Sequence, residues 1–278
     1  MEAAAQTLSG AAAVGACAAM ALLYVGILYS PTVLRLPPPT TLDSFLIRRF
    51  VCAAVASTVS VVACAVLLGI RNFEAIPSIF GILGMRVDHW GRALVFALLL
   101  TSLPYAGSLV SKLVAFVHVQ NEAETSSRQG EVSEMEARGI LDSIHEVAAN
   151  ILTWRNYVVA PLTEEIVFRA CMIPLLLCGG FKTSTVIFCS PIFFSLAHLN
   201  HFLELYCQRR YTFLKVFTIV VAFAECTAGL QLGYTVIFGW YASFLFIRTG
   251  NLICPIVAHI FCNVMGLHVL SSSHAKGQ

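Results

Sequence analysis

Charged side chains are scarce in this sequence. Asp, Glu, Lys and Arg make up 12% of its 278 residues, about half the roughly 25% of a soluble domain. With 58% hydrophobic residues and a mean hydropathy of +0.81, that shortage excludes water as the main solvent of the chain. The formal net charge is +2, and the basic residues behind it are dispersed, which excludes a nucleic-acid-binding surface. No CxxC pair occurs among the ten cysteines. Most stand singly in apolar runs, as buried free thiols do, so neither a disulfide framework nor a zinc knuckle is indicated. The N-terminal "MEAAAQTLSG" lacks the basic n-region of a cleaved signal peptide. HExxH, GxSxG and internal repeats are missing as well.

What is present is a succession of apolar runs, several of them near the roughly 20 residues that span a bilayer. Ala11 to Tyr29 reads as a retained first anchor, ended by the Pro37–Pro39 triplet. Arg48 and Arg49 lead into a second span over 50–70, and a third runs from Ala93 to Val117 with a kink expected at Pro104. Between these two, "RNFEAIPSIFGILGMRVDHWGR" reads as a loop with a short interfacial helix. The arginines of the first loop, by the positive-inside rule, make that loop cytoplasmic and put the N-terminus in the lumen.

Residues 118–150 are acidic and polar, a solvated connector that ends in an amphipathic helix. Further apolar segments follow at 157–178, 183–199, 212–247 with a break near Gly229, and 252–270. The expected fold is all-α, a polytopic transmembrane helical bundle of about seven spans enclosing an intramembrane cavity. Four regions result: N-terminal transmembrane helices (1–117), a polar acidic connector (118–153), a transmembrane core (154–270) and a short polar tail (271–278).

Ionisable groups at membrane depth cost about 2.5–3.5 kcal/mol each even on the gentler insertion scale, so those that occur need a reason. "APLTEEIVFRA" (160–170) brings three. Glu165 and Arg169 are four apart, on one helical face, and can pair. Glu164 points about 100° away. A carboxylate left outside such a pair, in an apolar surround, is a candidate general base; a structural Glu–Arg clamp with a bystander glutamate is the plainer alternative.

"FFSLAHLNHF" (193–202) adds His198, with His201 and Glu204 beyond it. The HxxHxxE spacing is not the HExxH zinc motif, and interfacial packing explains it equally well. "PIVAHIFCNVMG" (255–266) places His259 and Asn263 one turn apart on one face, so both require partners on another helix. Interhelical hydrogen bonding alone would account for that pair. Taken together, the three segments supply a base, an imidazole and two oxyanion donors without a nucleophile elbow. That set suits hydrolysis by an activated water.

"TEEIVFR", "FSLAH" and "HIFCN" stand in the order and spacing of EExxxR, FxxxH and HxxxN, and with them the chain resembles the CAAX protease and bacteriocin-processing family. The likeness is dense from about 154 to 267 and looser before it. It implies an intramembrane, glutamate-dependent endopeptidase of the endoplasmic reticulum, multi-pass, with no metal and no other cofactor. Such an enzyme removes the last three residues of a CAAX terminus once its cysteine is farnesylated or geranylgeranylated. The partners implied are prenylated CAAX-terminal proteins such as small GTPases, together with the lipid bilayer.

Position by position, the resemblance makes Glu164 the base, His198 the histidine that helps hold the water, and His259 with Asn263 the oxyanion pair. Glu165 and Arg169 take supporting roles. It also implies a further apolar helix after HxxxN where this sequence passes into "SSSHAKGQ", so a shortened C-terminal product is expected. The 220–231 stretch, which carries Glu225, is longer than the family pattern requires. Two rivals remain at this point: a zinc protease with Glu164, His198 and His259 as ligands, and a silent membrane binder of prenylated tails.

Overall fold

A computed structural model describes residues 8–28, 30, 37–70, 76–86, 90–126, 149–195 and 228–274. Helix α1 spans Gly10–Leu28 and α2 spans Leu42–Leu67. After the short α3 (Ile76–Ile82), α4 (Trp90–Ser102) passes through a 3₁₀ turn at Leu103–Tyr105 into α5 (Ala106–Ser126). Pro104 lies in that turn, where the expected kink falls. Among the described residues there is no strand. Among these residues, three helices are long and apolar enough to cross a membrane, namely Gly10–Leu28, Leu42–Leu67 and the combined Trp90–His118. The protein is a helical membrane protein.

The second span begins earlier than the hydropathy alone indicates. Thr41 caps α2, its hydroxyl accepting from the Ser44 N–H while the Ser44 hydroxyl receives the Thr41 N–H. This reciprocal box satisfies two of the otherwise orphaned N–H groups of the first turn. Helix therefore starts at Leu42, and Arg48 and Arg49 sit within it instead of before it. Arg48 turns back to donate to the Pro37 carbonyl at 2.6 Å. At the other end of the N-terminal half, α5 carries helix to Ser126, into the opening of the acidic stretch.

The helix that carries EExxxR is not a uniform α-helix. This element, α6, opens as α-helix over Ile151–Trp154, widens to π-helix over Arg155–Val159 and tightens again over Ala160–Glu165. It widens once more over Ile166–Cys171 and closes as α-helix over Met172–Cys178. Pro161 has no N–H for the turn before it, which favours an irregular ladder there. An apolar helix α7 (Thr183–Ser195) follows, then α8 (Ala228–Thr249) and α9 (Ile253–His274).

α6 sits at the centre of the bundle. Its second π-helical segment packs on α2 and on α1, and its middle touches α9. Val167, Phe168, Ala170, Cys171, Met172 and Ile173 are all buried there. α1 approaches the C-terminal end of α6 closely because Gly10 and Gly179 present no side chains; a Cβ on Gly179 would lie 2.7 Å from that of Ala13. α9 packs against α4 and α8 and brings the third motif to the same centre.

Candidate active site

Burial and charge meet at Glu165. Its side chain has 0% exposure and that of Arg169 has 1%. Arg169 donates one guanidinium N–H to Glu165 Oε1 at 3.0 Å, along the i, i+4 face that the spacing predicts. The guanidinium also lies over two aromatic rings, 4.4 Å from the centroid of Phe194 and 5.7 Å from that of Phe238. The negative faces of those rings compensate part of the lost hydration. A fully desolvated ion pair holds only if such additional contacts accompany it.

The same Glu165 oxygen receives a second donor from across the bundle. His259 Nδ1 lies 2.8 Å from Oε1. An ionised carboxylate only accepts, so Nδ1 carries a proton and donates it, and the other ring nitrogen faces away from Glu165. That nitrogen, Nε2, is 4.0 Å from Glu164 Oε2. The two side chains retain 11% and 18% exposure, against none for Glu165. Phe238 packs on the imidazole at 5.0 Å between centroids and helps fix its plane.

Two motifs that are 94 residues apart in sequence are thus joined at one atom. The joint leaves a carboxylate oxygen and an imidazole nitrogen facing each other across a gap too wide for a direct hydrogen bond. A water accepting or donating at both ends would fit a separation of this order.

Comparison with known proteins bears on the same segments. The family model for "Type II CAAX prenyl endopeptidase Rce1-like" matches residues 147–265. CAAX prenyl protease 2 of Arabidopsis thaliana is 51% identical over 266 residues, which is 95% of this chain and 83% of that protein. The chain belongs to the type II CAAX prenyl endopeptidase family. The human CAAX prenyl protease 2 is 32% identical over 252 residues, covering 90% of this chain and 69% of that protein. The Caenorhabditis elegans protein of the same name is 30% identical over 223 residues, 79% and 71% of the two chains. No solved structure matches.

Of the family motif residues, Glu164, Glu165, Arg169 and His259 come together as described. Asn263 lies one turn beyond His259 on α9, and its side-chain amide donates to the Asn156 carbonyl at 2.7 Å. The acceptor belongs to the first π-helical segment of α6, so one amide N–H is committed to holding the two helices and the other remains for a ligand. His198 lies outside the described residues, as do His201, Glu204 and Glu225. Among the described residues, no group of three or more His, Cys, Asp or Glu side chains is placed to hold a metal ion.

Sequence spacing missed several participants in this family member's site. Phe194 and Phe238 look like ordinary core aromatics, and nothing local marks them as the platform under Arg169. The Asn156 carbonyl has no side-chain signature at all. Thr163 stands beside the glutamates in "TEE", yet its partner Tyr24 is 139 residues away on α1.

Proposed function

We propose that this protein is an intramembrane endopeptidase that removes the C-terminal tripeptide from farnesylated or geranylgeranylated CAAX proteins, small GTPases among them, at the endoplasmic reticulum membrane. Glu164 acts as the general base, assisted by His198. It takes a proton from a water held between itself and His259. The resulting hydroxide attacks the carbonyl carbon of the prenylated cysteine, and the carbonyl oxygen becomes an oxyanion. His259, carrying a proton on each ring nitrogen, donates from Nε2, and Asn263 donates its second amide N–H, to stabilise that oxyanion. On collapse, the C–N bond breaks and the departing amine takes its proton from Glu164. The products are a prenylcysteine carboxylate and a free tripeptide.

The observation that carries this reading is the shared Glu165 oxygen. By accepting from both Arg169 and His259 Nδ1, it orients the imidazole and turns Nε2 toward Glu164, 4.0 Å away. Glu165 and Arg169 are positioning residues in this scheme. Glu165 and Glu164 flank the ring on opposite sides, so the charge of a doubly protonated imidazole is offset during the step.

The test uses the full chain in membranes from cells that lack other CAAX proteases, with two peptides of one sequence, farnesylated and unmodified. Mass spectrometry should find the tripeptide released from the farnesylated peptide alone, at the same rate with or without a chelator. Equal cleavage of the unmodified peptide would refute the assigned substrate class. Loss of activity in chelator, restored by zinc, would refute the glutamate mechanism. Binding of the farnesylated peptide without any cleavage would make the chain a binder of prenylated tails.

A further inference from the structure

Glu164 sits on a six-residue α-helical segment between two π-helical ones. A π-helical turn widens the ladder and changes the angle between successive side chains. The direction in which Glu164 points is therefore not fixed by a regular α-helix on either side of it. Something outside α6 has to hold this segment.

The neighbouring residue Thr163 is held from three directions. Its hydroxyl donates to the Val159 carbonyl at 2.7 Å, back across the first π-helical segment. That bond occupies the only hydroxyl proton of Thr163. The 2.9 Å contact between Tyr24 Oη and Thr163 Oγ1 must therefore have the tyrosine as donor. From α2, the buried Ser57 Oγ donates to Ala53 at 2.9 Å and lies 3.5 Å from the Thr163 carbonyl. Tyr24 is itself buried, with its ring edge-on to Phe168 at 5.6 Å between centroids.

We infer that Tyr24 is a positioning residue for Glu164, acting through Thr163. The inference rests on the function proposed above. It extends the site to α1, a helix outside residues 147–265 that the family model covers. The tyrosine hydroxyl fixes the Thr163 side chain, which ties the segment to Val159 and sets the rotation of the next residue. Rate is sensitive to such placement, because an error of about 1 Å at a reacting group costs up to roughly a hundredfold.

Tyr24→Phe removes the hydroxyl and keeps the ring against Phe168. With the full chain in protease-free membranes and a farnesylated CAAX peptide, kcat should fall about tenfold. KM and the thermal transition in detergent should stay at wild-type values. Thr163→Val should lose the same factor, Thr163→Ser should keep wild-type kcat, and the Tyr24→Phe/Thr163→Val double variant should be no slower than either single one. A merely structural role would lower the thermal transition with the rate and would make the two losses additive.

Wild-type kcat in Tyr24→Phe, or additive losses in the double variant, would overturn the inference while leaving the proposed function in place. Absence of tripeptide release by the unmodified chain would overturn the proposed function and this inference with it.

Discussion

Glu164→Gln should reduce tripeptide release about a thousandfold, within the 10²–10⁴ range that a positioned general base contributes. Glutamine has nearly the same shape and volume, so neighbouring contacts change little. It cannot take a proton, and no other carboxylate among the described residues can replace it. The adjacent Glu165 is fully buried and accepts from Arg169 and from His259 through one oxygen. Folding should be unaffected, because Glu164 retains 18% side-chain exposure and makes no short hydrogen bond among the described residues. Rates in proteoliposomes, paired with a thermal transition in detergent, check both halves. Activity above a tenth of wild type would place the base elsewhere.

The second large effect concerns the fold. Arg169→Met should destabilise the protein by about 3–5 kcal/mol, the usual consequence of leaving one member of a buried pair uncompensated. That is a large part of a typical total stability of about 5–15 kcal/mol. Glu165 would remain at 0% exposure with only His259 donating to it. The Arg169→Met chain should be recovered in low yield, with a thermal transition lowered by many degrees. Adding Glu165→Gln removes the orphaned charge, so the double variant should regain most of the stability. It should not regain activity, because a neutral glutamine is a weaker anchor than a carboxylate for the His259 ring. Arg169→Lys should not rescue either, since an ammonium lacks the planar guanidinium that stacks on Phe194 while one of its N–H groups reaches Glu165. A stable Arg169→Met single variant would contradict this account of the core.

Much of this was legible in the sequence, for identifiable reasons. The Glu165–Arg169 pair follows from i, i+4 spacing, which survives here although the intervening turn is π-helical. The first and third spans fall within a few residues of their apolar runs because hydrocarbon thickness fixes helix length. The start of α2 was less visible, since a Thr–Ser capping box is a fainter signal than one with glutamate or glutamine at its third position. The need of His259 and Asn263 for partners on another helix could be read from an apolar α9. Which partners they take could not, since Glu165 and the Asn156 carbonyl depend on how α6 and α9 cross. Tyr24 was invisible for the same reason. The π-helical segments also escape periodicity arguments, which assume 3.6 residues per turn throughout.

One measurement bears most directly on hydrolysis by a water that Glu164 activates. Enzyme in excess over farnesylated peptide would be allowed a single turnover in ¹⁸O-labelled water. The prenylcysteine product and the enzyme peptide containing Glu164 would then be weighed by mass spectrometry. Direct attack by water predicts one ¹⁸O atom in the new C-terminal carboxylate of the product and none in Glu164. Label in Glu164, or a product without label after the first turnover, would mean that the carboxylate attacks the substrate itself, and would contradict the mechanism.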